Sequence, residues 1–205
     1  MKYTKQLPKT DENLSNQLLI DGWKKLKEPL NLTLATLLSI PFMLFCSIIF
    51  LSLIFYINPD FKNLFRISDS IRFTIQINLK TLLFLAGIYL FTLLHELIHA
   101  IFIPNALKSD KVYFGVRLLY GFVYTTEKIS KFRFIIVSIM PFIILSIIFP
   151  ILLNAFGLLN NYTLFLCLLN ALGSSVDFLN IFLILTQVPN KSYLIINGFE
   201  TYFKN

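Results

Sequence analysis

The chain has 205 residues, of which 56% are hydrophobic and only 14% are charged. Because soluble domains carry about a quarter charged residues, this composition excludes an ordinary soluble globular protein. The net charge of +7 does not indicate a nucleic-acid partner, since the lysines and arginines flank long apolar runs, where they anchor a membrane protein.

Long apolar runs dominate the chain, and two of them, 29–59 and 134–176, contain no charged residue. A helix that spans a bilayer needs roughly 20 mostly apolar residues. Four transmembrane spans are predicted, at 32–57, 79–104, 132–156 and 162–186. The third run could instead break at Pro150 into a helix and a re-entrant segment. The predicted fold class is therefore an all-α membrane protein with about four transmembrane helices.

The distribution of positive charge predicts the orientation. The N-terminal segment and the connection between spans two and three each carry six lysines or arginines, whereas the first connection carries four and the third none. Positive residues favour the cytoplasm, so both termini are predicted to be cytoplasmic. The predicted organisation is a cytoplasmic segment 1–31, a membrane-embedded unit 32–187 and a cytoplasmic tail 188–205. The four spans predict a multi-pass protein of the cell membrane. Richness in Ile, Asn, Lys and Phe favours a bacterial source.

The segments outside the spans carry weaker signals. A short interfacial helix is predicted before the first span, with Trp23 at the headgroup level and Leu26 on its apolar face. The first connection, 58–78, mixes aromatic and charged residues and is predicted to lie along the membrane surface. In the second connection, β-branched and aromatic residues predict two short strands, Val112–Val116 and Gly121–Thr125. These would form a cytoplasmic β-hairpin between helices two and three.

The second span contains the sequence HELIH, and its histidines, His95 and His99, are the only two in the chain. Their i, i+4 spacing places both imidazoles on one helix face, where they can bind one metal ion with Glu96 beside them. A catalytic zinc takes three protein ligands and a water whose pKa falls to about 7. Glu96 would take the proton of that water and deliver it to a leaving amine. The alternative is an unmetallated polar cluster that stabilises helix packing.

Asp177 is the only charged residue between Arg133 and Lys191 and lies in the fourth span. Reaching the metal from a facing helix, it would complete a His2Asp zinc site. The alternatives are a position near the lipid interface and a helix-packing hydrogen bond, but its depth in an uncharged run favours a ligand. Asn170 lies on the same helical stripe and could bind a substrate backbone or an oxyanion. A packing contact is the equal alternative for Asn170.

Four motifs in order carry a resemblance to a known family: HELIH in a span, the strand pair YFGVRLLYGFVY, the proline-containing IMPFI, and GSSVD. The chain resembles the site-2 protease class of intramembrane metalloproteases, and within that pattern the family of small bacterial membrane proteins described as putative zincin peptidases. The resemblance covers roughly residues 79–189. It implies a zinc ion held by His95, His99 and Asp177, with Glu96 as the catalytic base. It departs from the site-2 proteases in that Phe178, and not glycine, follows Asp177.

The predicted function is that of a membrane-embedded zinc metalloprotease, which hydrolyses peptide bonds within or near the bilayer by zinc-activated water. Its substrate would be a membrane protein or peptide, and the hairpin at 112–125 could bind an extended substrate strand by backbone pairing. Two alternatives stay open. One is a non-catalytic membrane protein of the metal-binding, immunity or transport type, and the other is a hydrolase of a non-peptide bond. The sequence predicts no oligomeric state.

Overall fold

A computed structural model describes residues 1–4, 9–61, 78–116 and 121–205. Most of these residues are α-helical. The elements in chain order are β1 (Lys2–Tyr3), α1 (Glu12–Ile20), β2 (Lys24–Lys25), α2 (Leu32–Leu38), α3 (Ile40–Ile57), α4 (Leu79–Phe102), β3 (Val112–Val116), β4 (Gly121–Thr125), β5 (Ile129–Ser130), α5 (Lys131–Phe142), a π-helical stretch (Ile143–Ile148), α6 (Phe149–Ala155), α7 (Asn161–Gly173), α8 (Ser175–Gln187), β6 (Tyr193–Asn197) and β7 (Glu200–Lys204). The predicted surface segment 58–78 lies mostly outside the described residues.

Within the described residues, four helical segments have the length and apolar composition needed to cross a bilayer. They are Ile40–Ile57, Thr81–Phe102, Lys131–Ala155 and Asn161–Gln187. Large apolar side chains on their outer faces, such as Leu44, Ile48 and Leu83, are more than half exposed, as suits a surface solvated by lipid. The prediction of four helices able to span a membrane is confirmed.

Prolines and small residues set the breaks within the spans. The first predicted span divides at Ser39 into α2 and α3, with Pro41 in the first turn of α3. The third span stays helical past Pro150, contrary to the re-entrant alternative. A π-helical stretch precedes Pro150, which therefore falls in the first turn of α6, where its missing amide hydrogen is tolerated. The fourth span breaks at Ser174 between α7 and α8.

The core of the bundle lies between α3, α5 and α7, where Cys46, Phe50 and Cys167 are fully buried. Helix α5 packs against both α4 and α8, and α7 packs against α3 and α4. Helix α5 therefore holds the motif-bearing α4 and the Asp177-bearing α8 close to each other. Both helices can therefore direct side chains toward the same interior point.

The prediction of an all-α protein is confirmed only in part, because the described residues are mostly helical but also form two β-sheets. Strands β3 and β4 pair antiparallel over the predicted residues, and β1 adds parallel to β3. The order β1-β3-β4 places β4 at a sheet edge, packed against α4. The cytoplasmic location of this hairpin stays a prediction. A second sheet has the order β2-β7-β6-β5 and joins the N-terminal segment to the C-terminal residues predicted as a tail.

The hairpin β6–β7 carries a sequence signal for its turn. It turns through two residues after Asn197, and Gly198 has a φ of +63°, a conformation that glycine adopts without strain. The side chain of Asn197 exchanges hydrogen bonds with the backbone of Asp11, which fastens the N-terminal segment to the turn. The predicted interfacial helix ends at Ile20, and Leu26 lies beyond it, buried with Leu194. Residues 188–205 are therefore part of a packed sheet.

We expect Leu194→Ala to destabilise this sheet strongly. Leu194 is fully buried among Leu26, Ile129 and Ile184, and removing such a side chain costs about 2–5 kcal/mol. The fluorescence of Trp23, the single tryptophan, would report urea unfolding in mild detergent. Phe199→Ala is the control, because its side chain is 56% exposed and surface changes stay within about 0.5 kcal/mol. Equal midpoints for both variants would contradict a packed sheet.

Candidate metal centre

The two histidines lie at the end of α4. This helix stops at Phe102 because Ile103 precedes a proline and takes an extended conformation. His99 therefore lies in the last turn and His95 one turn earlier. Their Nε2 atoms are 3.1 Å apart, as expected for two imidazoles at i and i+4 that could bind one metal ion.

Asp177 meets both histidines from α8. Its Oδ2 lies 3.4 Å from Nε2 of His95 and its Oδ1 lies 3.5 Å from Nε2 of His99. The break at Ser174 places Asp177 in the first turn of α8, where the helix dipole favours a carboxylate. The three side chains are less than one-fifth exposed, and their candidate ligand atoms all lie within 4.8 Å of one another. The structure thus brings together the three predicted ligands.

Hydrogen bonds to both Nδ1 atoms fix the orientation of the rings. Nδ1 of His99 lies 2.8 Å from the carbonyl oxygen of Val137, which can only accept, so this nitrogen carries the proton. Nδ1 of His95 lies 2.8 Å from Oδ1 of Asn170. The Nδ2 group of Asn170 donates to the Pro141 carbonyl at 3.2 Å and to Oγ of Ser146 at 2.8 Å. Oδ1 is therefore the atom that faces His95 and accepts from it.

Pro141 explains why the Val137 carbonyl is free. In a regular α-helix this carbonyl would accept from the amide of the residue four positions later, which here is Pro141 and has no amide hydrogen. The carbonyl of Val137 consequently remains available to His99 on the neighbouring helix. Sequence reasoning assigned no role to Val137 or Ser146. The i−4 rule for proline could have identified Val137, but nothing in the sequence identified Ser146.

The donor set suits a divalent cation such as zinc. With Nδ1 protonated on both rings, the two Nε2 lone pairs and the Asp177 carboxylate face one another as acceptors. A tetrahedral zinc with bonds of 2.0–2.1 Å holds its ligand atoms about 3.3 Å apart. The two Nε2 atoms are 3.1 Å apart, and each lies 3.4 or 3.5 Å from a different oxygen of the Asp177 carboxylate, which is close to that value. The chemistry and the spacing of these residues therefore suit a zinc ion.

Glu96 lies beside this cluster and points toward the sheet. Its Oε2 accepts a hydrogen bond from the backbone amide of Val123 in β4 at 3.1 Å. Gly121 permits this approach, since a Cβ at that position would lie 3.1 Å from the Cγ of Glu96 and from the Cδ2 of Leu93. The carboxylate is thus held next to the three ligands and is not one of them.

A cavity of about 320 Å³ adjoins the centre between α4 and α7. His95, Glu96 and Asn170 border it, and apolar side chains form most of its wall. Asn170 therefore both contacts His95 and reaches the cavity. Its role in binding substrate stays a prediction.

The chain was compared with known proteins. A model of the family described as "Putative zincin peptidase" matches residues 88–193, just over half of the chain. The matched segment includes all four residues of the centre, His95, Glu96, His99 and Asp177, together with β3, β4 and α5 to α8. No curated protein and no solved structure matches the chain significantly.

We expect Pro141→Ala to weaken zinc binding. The alanine restores an amide that competes for the Val137 carbonyl, so His99 loses the acceptor that orients it. Loss of such a partner typically lowers metal affinity about 10–100-fold, and competition with a chromogenic chelator would measure the change. Pro41→Ala is the matched control, because Pro41 lies in α3 and has no contact with the histidines. Equal zinc affinity in folded Pro141→Ala and wild type would refute the role of Pro141.

Proposed function

The chain belongs to this family of zincin peptidases, and on that premise we propose that it is a membrane-embedded zinc metallopeptidase. The observation that carries the proposal is the convergence of His95 and His99 from one span with Asp177 from another. Ionisable residues within apolar spans are rare and normally mark function. The adjacent Glu96 distinguishes this cluster from a site that only stores metal, since storage needs no free carboxylate beside it.

Each residue has a distinct role in this proposal. His95, His99 and Asp177 would hold the metal, while Asn170 and Val137 keep the two imidazoles oriented. When bound, zinc supplies a Lewis acid that polarises a carbonyl and lowers the pKa of a water to about 7. The carboxylate of Glu96 acts as general base and then returns the proton to the leaving amine nitrogen. The Val123 amide holds one carboxylate oxygen, which leaves the other free for proton transfer.

The edge strand β4 would hold the substrate backbone. In an antiparallel pair, alternate residues direct their backbone groups away from the partner strand. Val123 does so, since its amide binds Glu96, and Gly121 and Thr125 share its register. Within the described part of the chain, β4 has no strand on this side. An extended peptide could pair there through the backbone groups that Glu96 does not occupy. Such pairing would keep a substrate helix unwound, with the carbonyl of the cleaved bond near Glu96. Substrates would be membrane proteins or peptides, cleaved at the cytoplasmic side.

The first test is zinc content in mild detergent, measured by mass spectrometry beside cleavage of a peptide library. We expect about one zinc per chain in wild type, lost in His95→Ala and in Asp177→Ala. Glu96→Gln should keep its zinc but lose turnover by about 10²–10⁴-fold, the usual contribution of a general base. The control Glu12→Gln makes the same change at an exposed site at the start of α1 and should behave as wild type.

Two outcomes would reject the proposal. A folded wild-type protein that binds no zinc would reduce HELIH and Asp177 to a polar packing cluster. Zinc binding with full biological function in Glu96→Gln would instead identify a non-catalytic metal-binding protein. Cleavage of an ester or amide outside peptides, with dependence on Glu96, would retain the hydrolase but change its substrate class.

A further inference from the structure

The cavity beside the metal centre is a groove between two parallel helices. Ile88 and Phe91 of α4 form one wall, and Leu166 and Leu169 of α7 form the other. Thr92 also faces the cavity, but its hydroxyl donates to the carbonyl of Ile88 at 3.0 Å. The walls therefore present an apolar surface with few free hydrogen-bonding groups.

One end of the groove is closed by aromatic rings. A Cβ at Gly87 would lie only 1.8 Å from the hydroxyl of Tyr162, so α4 and α7 are in direct contact there. The ring of Phe84 packs against Tyr162 at 5.1 Å and against Phe165 at 5.4 Å between centroids. This contact between α4 and α7 bounds the cavity at the end distant from the histidines.

The opposite end opens at the catalytic groups. His95, Glu96 and Asn170 border the cavity there, together with Gly173 in the last turn of α7. A Cβ placed on Gly173 would meet no atom within 4 Å. The helix thus accepts a side chain at this position without a clash, and the glycine keeps the entrance of the cavity wide.

We propose that this cavity receives one large apolar side chain of the substrate, from a residue next to the cleaved bond, and that Gly173, which has no side chain, keeps the entrance wide enough for it. The inference rests on the proposed function, because the side chain must belong to a peptide whose carbonyl lies at the metal. A dry cavity of about 150 Å³ holds a benzene molecule, so about 320 Å³ admits a leucine or phenylalanine side chain.

The chemistry of the walls selects the occupant. A charged or polar side chain would lose its hydration without gaining partners, which is unfavourable, whereas apolar side chains are what a membrane segment offers. A lipid tail fits less well, because the contact between α4 and α7 makes the groove short and polar groups border its other end. An apolar side chain attached to a polar peptide backbone suits both the apolar walls of the cavity and the polar groups at its other end.

Hydroxamic acids test this pocket without relying on turnover. They bind a zinc centre through the hydroxamate group and carry one variable substituent. With zinc-loaded protein, we expect 3-phenylpropionohydroxamate to bind at least about tenfold more tightly than acetohydroxamate, as measured by calorimetry, since each buried methylene adds to affinity. Gly173→Phe should abolish this preference while leaving zinc content and acetohydroxamate binding unchanged. Gly173→Ala, which adds one methyl group, should show a preference between those of wild type and Gly173→Phe.

Two further variants complete the design. Leu185→Phe introduces the same side chain at a position of α8 that is 55% exposed and outside the cavity, so the preference should persist. Ile88→Trp narrows the cavity from α4 and should act like Gly173→Phe, which keeps the test decisive if the glycine variant fails to fold. Equal binding of both hydroxamates to wild type, or a preference that survives both narrowing variants, would overturn the pocket. Absence of zinc or of any hydroxamate binding would overturn the proposed function itself.

Discussion

The carbonyl of Val137 lacks its usual i+4 donor because Pro141 has no amide hydrogen, and the candidate metal centre depends on this missing hydrogen bond. A carbonyl without a donor inside an apolar helix bundle is unfavourable unless another group donates to it. His99 is that donor. The same contact fixes the tautomer of His99 and turns its Nε2 toward Asp177. One hydrogen bond thus both supplies a donor to the Val137 carbonyl and orients His99.

A second series of hydrogen bonds does the same for His95, through Asn170 of α7. Asn170 is held by the Pro141 carbonyl and by Ser146, and Ser146 donates to the carbonyl of Cys167. Asn170 and Ser146 are both buried, and each has its hydrogen-bond partners. The Oδ1 atom of Asn170 therefore faces His95. Ser146 belongs to the π-helical stretch, a feature common at functional sites. Both imidazoles are therefore oriented by irregularities of the same span.

The sequence predicted four helices able to span a membrane and the cluster of His95, His99 and Asp177, because ionisable residues stand out in apolar runs. It predicted β3 and β4 from dense β-branched and aromatic residues. It did not predict the second sheet, because two of its strands, β2 and β5, have only two residues each and depend on partners distant in the chain. The one sequence signal for this sheet was Asn197 followed by Gly198, at the turn between β6 and β7. The partners of Asn170 are set by helix packing, which no local pattern records.

Two glycines on either side of Glu96 show how one carboxylate can serve two surfaces. Gly121 allows the edge of β4 to come close enough for the Val123 amide to bind Glu96. Gly173 leaves the entrance of the α4–α7 cavity open at the same carboxylate. An extended peptide along β4 would place its backbone on the first side, and alternate side chains of such a strand point to opposite faces. Only one side chain near the cleaved bond can then enter the cavity, so the backbone site and the pocket together would determine which bond lies at the metal.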